Sequence, residues 1–110
     1  MIAWDRVDEL RGEVGEEGFA EIAQLFLDEA DAAVGKLQGD LSNEDLEKVL
    51  HFLKGCALNL GFAELARHCQ VGEHLAMEHK FEDINLPIVS TSYQTARAEF
   101  IAKSNVALAG

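Results

Sequence analysis

The stretch at residues 49–61 contains side chains that can carry out group-transfer chemistry. It reads VLHFLKGCALNLG, so His51 is followed three positions later by Lys54 and four positions later by Gly55. A neutral imidazole is a good nucleophile near neutral pH and can carry a covalent group. If that group is a phosphoryl, a lysine ammonium supplies positive charge for its oxygens. The pattern makes His51 a candidate carrier of a covalent group and Lys54 its candidate electrostatic partner.

A glycine in the middle of this stretch indicates that something must approach the histidine. Glycine inside a helix costs about 1 kcal/mol relative to alanine. Gly55 removes a side chain one turn after His51, which allows the active site of another protein to come close. Lys48, together with exposed apolar atoms of Phe52 and Leu58, is expected to give that partner a docking surface.

The helix that carries these residues is predicted from its ends and its apolar face. Ser42, three residues before Asp45, is a capping signature, and Gly61 is a plausible end. At about 100° per residue the apolar face lies opposite His51, which is therefore predicted to point at solvent. Glu47, one turn before the histidine, is hypothesised to orient the imidazole or to favour its proton. The apolar face consists of Leu46, Val49, Leu50, Leu53, Ala57 and Leu60.

The rest of the chain also has the spacing of amphipathic helices. A short helix is predicted to end at Gly12, a long one to cover residues 16–38, and a third to cover residues 62–80. Pro87 suits the first turn of the last helix. The buried face of that helix is predicted to contain Val89, Tyr93, Ala96 and Phe100. Four such helices with short connections predict an all-α, up-and-down four-helix bundle, with the short N-terminal helix across one end. The whole 110-residue chain is predicted to form one domain.

Charge excludes several classes of partner. Nine Lys and Arg against 20 Asp and Glu give a net charge of −11, and the basic residues are scattered. Such a surface repels nucleic acid and anionic membranes, so a protein partner is expected. The chain has no apolar run of transmembrane length and no N-terminal signal pattern, which predicts a cytoplasmic protein.

The cysteines and the other histidines do not have the spacing of metal ligands. Cys56 and Cys69 stand thirteen residues apart within apolar patterns, which predicts free buried thiols. His68, His74 and His79 are separated by six and five residues, so they do not stack on one helix face. No metal site is predicted.

One segment resembles a known family signature. HFLKGCALNLG is similar to the His-x-x-Lys-Gly…Gly motif of the histidine-containing phosphotransfer (HPt) domain family, through His51, Lys54, Gly55 and Gly61. The segments EEGFAEIAQLFLDEA and FAELARHCQVGEHLA are similar to the preceding and following helices of that family, so the resemblance covers nearly the whole chain. It implies a four-helix bundle, in agreement with the periodicity.

The resemblance also implies a function. In a phosphorelay intermediate of two-component signalling, His51 would accept a phosphoryl group from the aspartyl phosphate of one receiver domain. It would then pass the group to the aspartate of another. Lys54 would interact with the phosphoryl group, Gly55 would leave the histidine accessible, and Gly61 would be a packing and turn position.

The implied partners are response-regulator receiver domains and a hybrid sensor histidine kinase. The chain itself would be a phosphohistidine carrier without a kinase domain, and no cofactor is expected on it, because the receiver would bring its own Mg²⁺. Two other classes stay open: a non-catalytic helical adaptor that uses the same exposed face, and a small helical metal carrier. A free-standing protein is expected from the 110-residue length and the lack of flanking linkers. A monomer is expected, since one apolar stripe per helix closes the bundle.

Overall fold

Four α-helices and one short 3₁₀ turn build the fold. The computed structural model describes residues 1–106 and residue 108. The helices are α1 (Trp4–Lys36), α2 (Asn43–Leu60), α3 (Ala63–Met77) and α4 (Leu86–Ser104), and the 3₁₀ turn covers Phe81–Asp83. Each helix packs against its neighbours in sequence, and α1 also contacts α4. This arrangement confirms the predicted all-α bundle.

The first helix differs from the prediction. The segment before the bundle was expected to end at Gly12, but the helical backbone continues to Gly15, which has φ 77° and ψ 170°. This conformation is open to glycine and strained for other residues. Both glycines permit a break, but only Gly15 has a non-helical backbone. The prediction that this segment ends at Gly12 was therefore wrong, whereas the prediction of a separate N-terminal helical segment was correct.

That N-terminal segment, residues 4–14, lies across one end of the bundle as predicted. The Trp4 ring is stacked on Phe100 of α4, with centroids 6.5 Å apart. The backbone N–H of Ala3 donates to the carbonyl of Gly61 at 2.7 Å. Arg11 donates to the backbone carbonyl of Ser104, at the end of α4. The segment thus contacts both the α2–α3 junction and the C-terminal end of α4.

Both predicted ends of α2 are confirmed. The Ser42 hydroxyl accepts a hydrogen bond from the backbone N–H of Asp45 at 3.1 Å, which satisfies a free donor of the first turn. Gly61 ends the helix in the left-handed conformation, with φ 76°. A Cβ at this position would lie 2.7 Å from the carbonyl oxygen of Ala3. Gly61 is therefore required both by the turn and by the close approach of the N-terminal segment.

The core matches the predicted apolar faces closely. The two cysteines are free and buried, and Pro87 lies in the first turn of α4. Val49 is only half-buried, at the edge of the core. The predicted residues that are fully buried in α2 and α4 are Leu46, Leu50, Leu53, Ala57, Leu60, Val89, Tyr93, Ala96 and Phe100.

A polar cluster joins α1 to α4. The hydroxyl of Tyr93 donates to the carboxylate of Asp31 and lies 3.1 Å from the backbone carbonyl of Leu27. Arg97 binds both oxygens of Asp31, at 2.9 and 3.1 Å. Burial is the main cause that raises the pKa of Tyr93 well above its ordinary value, and the carboxylate of Asp31 raises it further. The phenol therefore remains protonated and acts as a donor.

Candidate functional site

His51 projects from the middle of α2 into solvent, as the helix geometry predicts. Its side chain is 73% exposed. The Nδ1 atom lies 3.1 Å from Oε2 of Glu73 on α3. An ionised carboxylate only accepts hydrogen bonds, so Nδ1 is the atom that carries the proton in this pair. In the neutral ring this tautomer leaves the lone pair on Nε2.

Lys54 contacts the same carboxylate from the other side. Its Nζ lies 2.8 Å from Oε1 of Glu73 and donates to Oε1 of Gln70 at 3.0 Å. The side chains of Lys54 and Glu73 are 21% and 16% exposed, much less than that of His51. One carboxylate of α3 therefore joins the two candidate residues of α2 and holds the lysine ammonium one turn from the imidazole.

The electrostatics keep Glu73 ionised. Burial alone raises the pKa of this carboxyl group, but hydrogen bonds from Lys54 and then from His51 outweigh it, and the pKa is lower than the ordinary value. A charged acceptor forms stronger hydrogen bonds than a neutral one. Glu73 is thus a fixed negative charge beside the inner nitrogen of His51.

Gly55 leaves open space one turn after the histidine. A Cβ built at this position would meet no heavy atom of residues 1–106 and 108 within 4 Å, leaving aside its chain neighbours and the nearby backbone of its own helix. No packing requirement against another element therefore demands a glycine here, in contrast to Gly61. The Asn59 amide donates to the Gly55 carbonyl at 2.9 Å, which provides an additional hydrogen bond at this turn. The open space favours the interpretation that Gly55 serves a partner's approach.

Apolar and basic side chains surround the histidine on the same face. Phe52 and Leu58 are 46% and 58% exposed. Lys48 is 70% exposed and pairs with Glu44 at 3.2 Å. Two shallow depressions meet at Lys48 and Phe52: one between α1 and α2, of about 360 Å³, and one beside His51, of about 450 Å³. The predicted docking residues Lys48, Phe52 and Leu58 thus lie on the surface around the histidine; their role in binding stays a prediction.

The carboxylate that contacts the imidazole is not the one expected from the sequence. Glu47 lines the depression beside His51, but the partner of the ring in the structure is Glu73. The contact between Gln70 and Lys54 was also not predicted from the sequence. Both missed residues lie three positions apart on α3, a spacing that places them on one helix face. The sequence predicts that this face of α3 is polar, but it does not predict which helix the face contacts.

The other three histidines lie in separate surroundings. His68 contacts Arg67 at 3.4 Å, His74 lies 3.8 Å from a carboxylate oxygen of Glu78, and His79 packs near the ring of Phe81. In residues 1–106 and 108 there is no group of three or more His, Cys, Asp or Glu side chains placed to hold a metal ion. Within the same residues, none of the helices has the length and apolar character needed to cross a membrane.

Comparison with known proteins identifies the family. The family model described as Hpt domain matches residues 21–99 of the 110-residue chain. The match covers α2, α3, the second half of α1 and most of α4, and it includes His51, Lys54, Gly55 and Glu73. No curated protein and no solved structure matched the chain. Hpt domains are helical bundles that take part in phosphotransfer in two-component signalling. This chain belongs to the Hpt domain family.

Proposed function

We propose that this chain is a phosphorelay intermediate in which Nε2 of His51 accepts and donates the phosphoryl group. The donor is the aspartyl phosphate of one receiver domain and the acceptor is the aspartate of another. The observation that carries the proposal is the environment of His51. Nδ1 is hydrogen-bonded to Glu73, the ring is exposed at 73%, and open space lies one turn away at Gly55.

The tautomer set by Glu73 suits this role. With the proton on Nδ1, the lone pair of Nε2 is directed to solvent, where an incoming phosphorus atom can be attacked in line. As the Nε2–phosphorus bond forms, the bond between phosphorus and the aspartyl oxygen breaks, and the electron pair leaves with the carboxylate. The rigid helix positions the nucleophile, and transfer needs positioning and charge neutralisation more than covalent chemistry by the protein.

Lys54 is proposed to neutralise the phosphoryl oxygens. Its ammonium is held by Glu73 and Gln70 at 2.8 and 3.0 Å. Lysine is a flexible point charge, and Lys54 lies one turn from His51, so rotation of its side chain would bring the ammonium toward a group on Nε2. The Mg²⁺ that phosphoryl transfer requires is expected in the acidic pocket of the receiver.

A transfer assay tests this proposal. A panel of purified receiver domains would be labelled with radioactive acetyl phosphate and mixed with the wild-type chain, His51→Gln or His74→Gln. His74 is a matched control, since its side chain is 68% exposed, close to the 73% of His51. Acid-labile label on the wild type and on His74→Gln, but not on His51→Gln, is the expected result.

Two other results would contradict the proposal. Equal label on His51→Gln and wild type would place the phosphoryl group on another residue. Absence of label from all three chains, with receiver binding intact and unchanged in His51→Gln, would indicate the non-catalytic adaptor instead.

A further inference from the structure

We propose that the N-terminal arm, defined as residues 1–14, can leave its own bundle and occupy the same place on a second copy of this chain. Two copies that exchange their arms would form a dimer in which each bundle is closed by the arm of the other. This inference goes beyond the proposed function and does not depend on it. The observation that carries it is a single non-helical residue, Gly15, inside the helix Trp4–Lys36.

Gly15 is the hinge of the arm. The ring of Trp4, before the hinge, and the ring of Phe19, after it, both contact the ring of Phe100, with centroids 6.5 and 6.1 Å away. The arm is therefore folded onto the end of the bundle that contains Phe19. With helical dihedral angles at Gly15, α1 would instead be one continuous helix of 33 residues, and the arm would point away from its own bundle.

Apolar burial holds the arm in place. Ile2, Val7 and Leu10 are at most 5% exposed, and Trp4 stacks on Phe100 of α4. An arm that left without replacement would expose these side chains and the aromatic surface beneath them to water, which is unfavourable. The partner whose shape and chemistry fit that surface is the arm of a second copy.

The polar contacts of the arm also end on the bundle. The backbone N–H of Ala3 donates to the carbonyl of Gly61 at 2.7 Å. Arg11 donates to the carbonyl of Ser104, and its guanidinium lies 4.4 Å from the centroid of the Phe19 ring. All three partners come after the hinge, so a second bundle presents the same groups. Exchange therefore conserves these contacts and changes only the conformation of the hinge.

The identity of residue 15 sets the balance between the closed and the exchanged form. The dihedral angles of Gly15, φ 77° and ψ 170°, lie in a region that is essentially restricted to glycine. No heavy atom of residues 1–106 and 108 lies within 4 Å of a Cβ built there, so backbone conformation rather than packing excludes a larger residue. Glycine thus permits the closed hinge, whereas alanine would favour the straight helix.

Charge opposes the dimer in the wild type. The arm carries four Asp and Glu against two Arg, and the whole chain has a net charge of −11. Two copies therefore repel each other, and added salt screens this repulsion. We expect a closed monomer at low concentration and a detectable exchanged dimer at high concentration and high salt.

The exchange leaves the surface around His51 available. Among residues 1–106 and 108, the arm contributes nothing to the lining of the depression beside His51 or of the one between α1 and α2. The arm contacts the other end of α2, at Gly61. An exchanged dimer would thus present two His51 side chains and could bind two partners at once.

The test compares the wild type with Gly15→Ala and with the matched control Gly12→Ala. At both glycines a built Cβ meets no heavy atom within 4 Å in the described part of the chain, but only Gly15 is non-helical. Sedimentation equilibrium from about 1 μM to 1 mM, in about 0.5 M salt, would give the dissociation constant of the dimer.

Gly15→Ala should lower that dissociation constant by at least about a hundredfold, because alanine disfavours each of the two closed hinges by about tenfold or more. Gly12→Ala should stay within about threefold of the wild type, since residue 12 is helical in both forms. 

NMR distinguishes exchange of arms from association through other surfaces. In a dimer of one isotope-labelled and one unlabelled chain, a nuclear Overhauser effect is expected between the Trp4 ring of one copy and the Phe100 ring of the other. In the closed monomer the same effect arises within one chain. Trp4 is the only tryptophan of the sequence, so its indole resonances are unambiguous.

A Gly15→Ala chain that stays monomeric to about 1 mM would overturn the inference. A dimer whose Trp4–Phe100 effect remains within one chain would overturn it as well. If Gly15→Ala does not fold, the wild type decides: it would be unfolded in urea and refolded at about 1 mM in high salt. An exchanged dimer would then support the inference, and its absence would contradict it.

Discussion

Glu73 on α3 holds the Nδ1 atom of His51 on α2 at 3.1 Å, across a sequence separation of 22 residues. This pair divides the imidazole into an inner nitrogen with a fixed hydrogen-bond partner and an outer nitrogen that faces solvent. The division matters because a histidine that carries a covalent group needs one defined nucleophilic nitrogen. The second oxygen of the same carboxylate contacts Lys54, so one side chain of the neighbouring helix contacts both His51 and Lys54.

Replacement of Lys54 by alanine should slow transfer from a phosphorylated receiver by about ten- to a hundredfold, the effect of losing one charged hydrogen-bond donor. Single-turnover transfer of radiolabel would measure it. Lys48→Ala is the matched control, because Lys48 lies on the same face and pairs with Glu44 instead. An equal loss in both variants would show that general positive charge, rather than the position of Lys54, supports transfer.

Gly55→Ala and Gly55→Leu should stabilise the fold while they slow transfer. Open space surrounds the Cβ position, and either residue favours a helix by about 0.5–1 kcal/mol over glycine. The larger side chain should obstruct a partner more, so transfer should decrease from glycine to alanine to leucine. Thermal unfolding and the transfer assay would measure the two effects.

Gly12→Ala is the control for Gly55. Gly12 also lies within a helix, and no heavy atom of the described part of the chain lies within 4 Å of a Cβ built there, but it belongs to the N-terminal segment. The Gly12→Ala substitution should stabilise the fold without changing the rate of transfer. Undiminished transfer by Gly55→Leu would contradict the role of Gly55 in admitting a partner.

Glu73 should make part of the stability depend on acid pH. Its pKa is lowered in the folded chain, so its contribution is present above the ordinary glutamate pKa of about 4.3 and is lost as the pH falls through the lowered value. Urea unfolding should therefore show Glu73→Gln less stable than wild type at neutral pH, by about 1 kcal/mol. This difference in stability between Glu73→Gln and wild type should disappear at acid pH. A gap that stays constant with pH would mean that the charge of Glu73 does not stabilise the fold.

Tyr93→Phe should destabilise the fold by about 1 kcal/mol, because it removes the hydroxyl that joins α4 to Asp31 and to the Leu27 carbonyl. Since the pKa of Tyr93 is raised by burial, wild-type stability should also decrease above about pH 10, where the unfolded tyrosine ionises. In that pH range Tyr93→Phe should lose less stability than the wild type. Both chains contain the two buried thiols, so the difference between them reports the ionisation of Tyr93 alone. Transfer should be unaffected, since Tyr93 is buried against α1 and does not line the depression beside His51.

Much of the fold and half of the site follow from the sequence. The apolar spacing of α2 predicts both the buried face and the exposure of His51, and local chemistry predicts the ends at Ser42 and Gly61. These features depend on one helix at a time. Glu73 and Gln70 could not be predicted, because their relation to His51 and Lys54 depends on how α3 is rotated and shifted against α2. The break at Gly15 rather than Gly12 was not predicted either, because both glycines permit a break and the sequence pattern does not distinguish them.

The most direct test of the account is the identity of the phosphorylated atom. The chain would be phosphorylated by a receiver domain carrying aspartyl phosphate, and phosphorus and nitrogen NMR would assign the bonded nitrogen. We predict a single phosphoryl group on Nε2 of His51, with the proton on Nδ1. A phosphoryl group on Nδ1 of His51, or on His68, His74 or His79, would contradict the account.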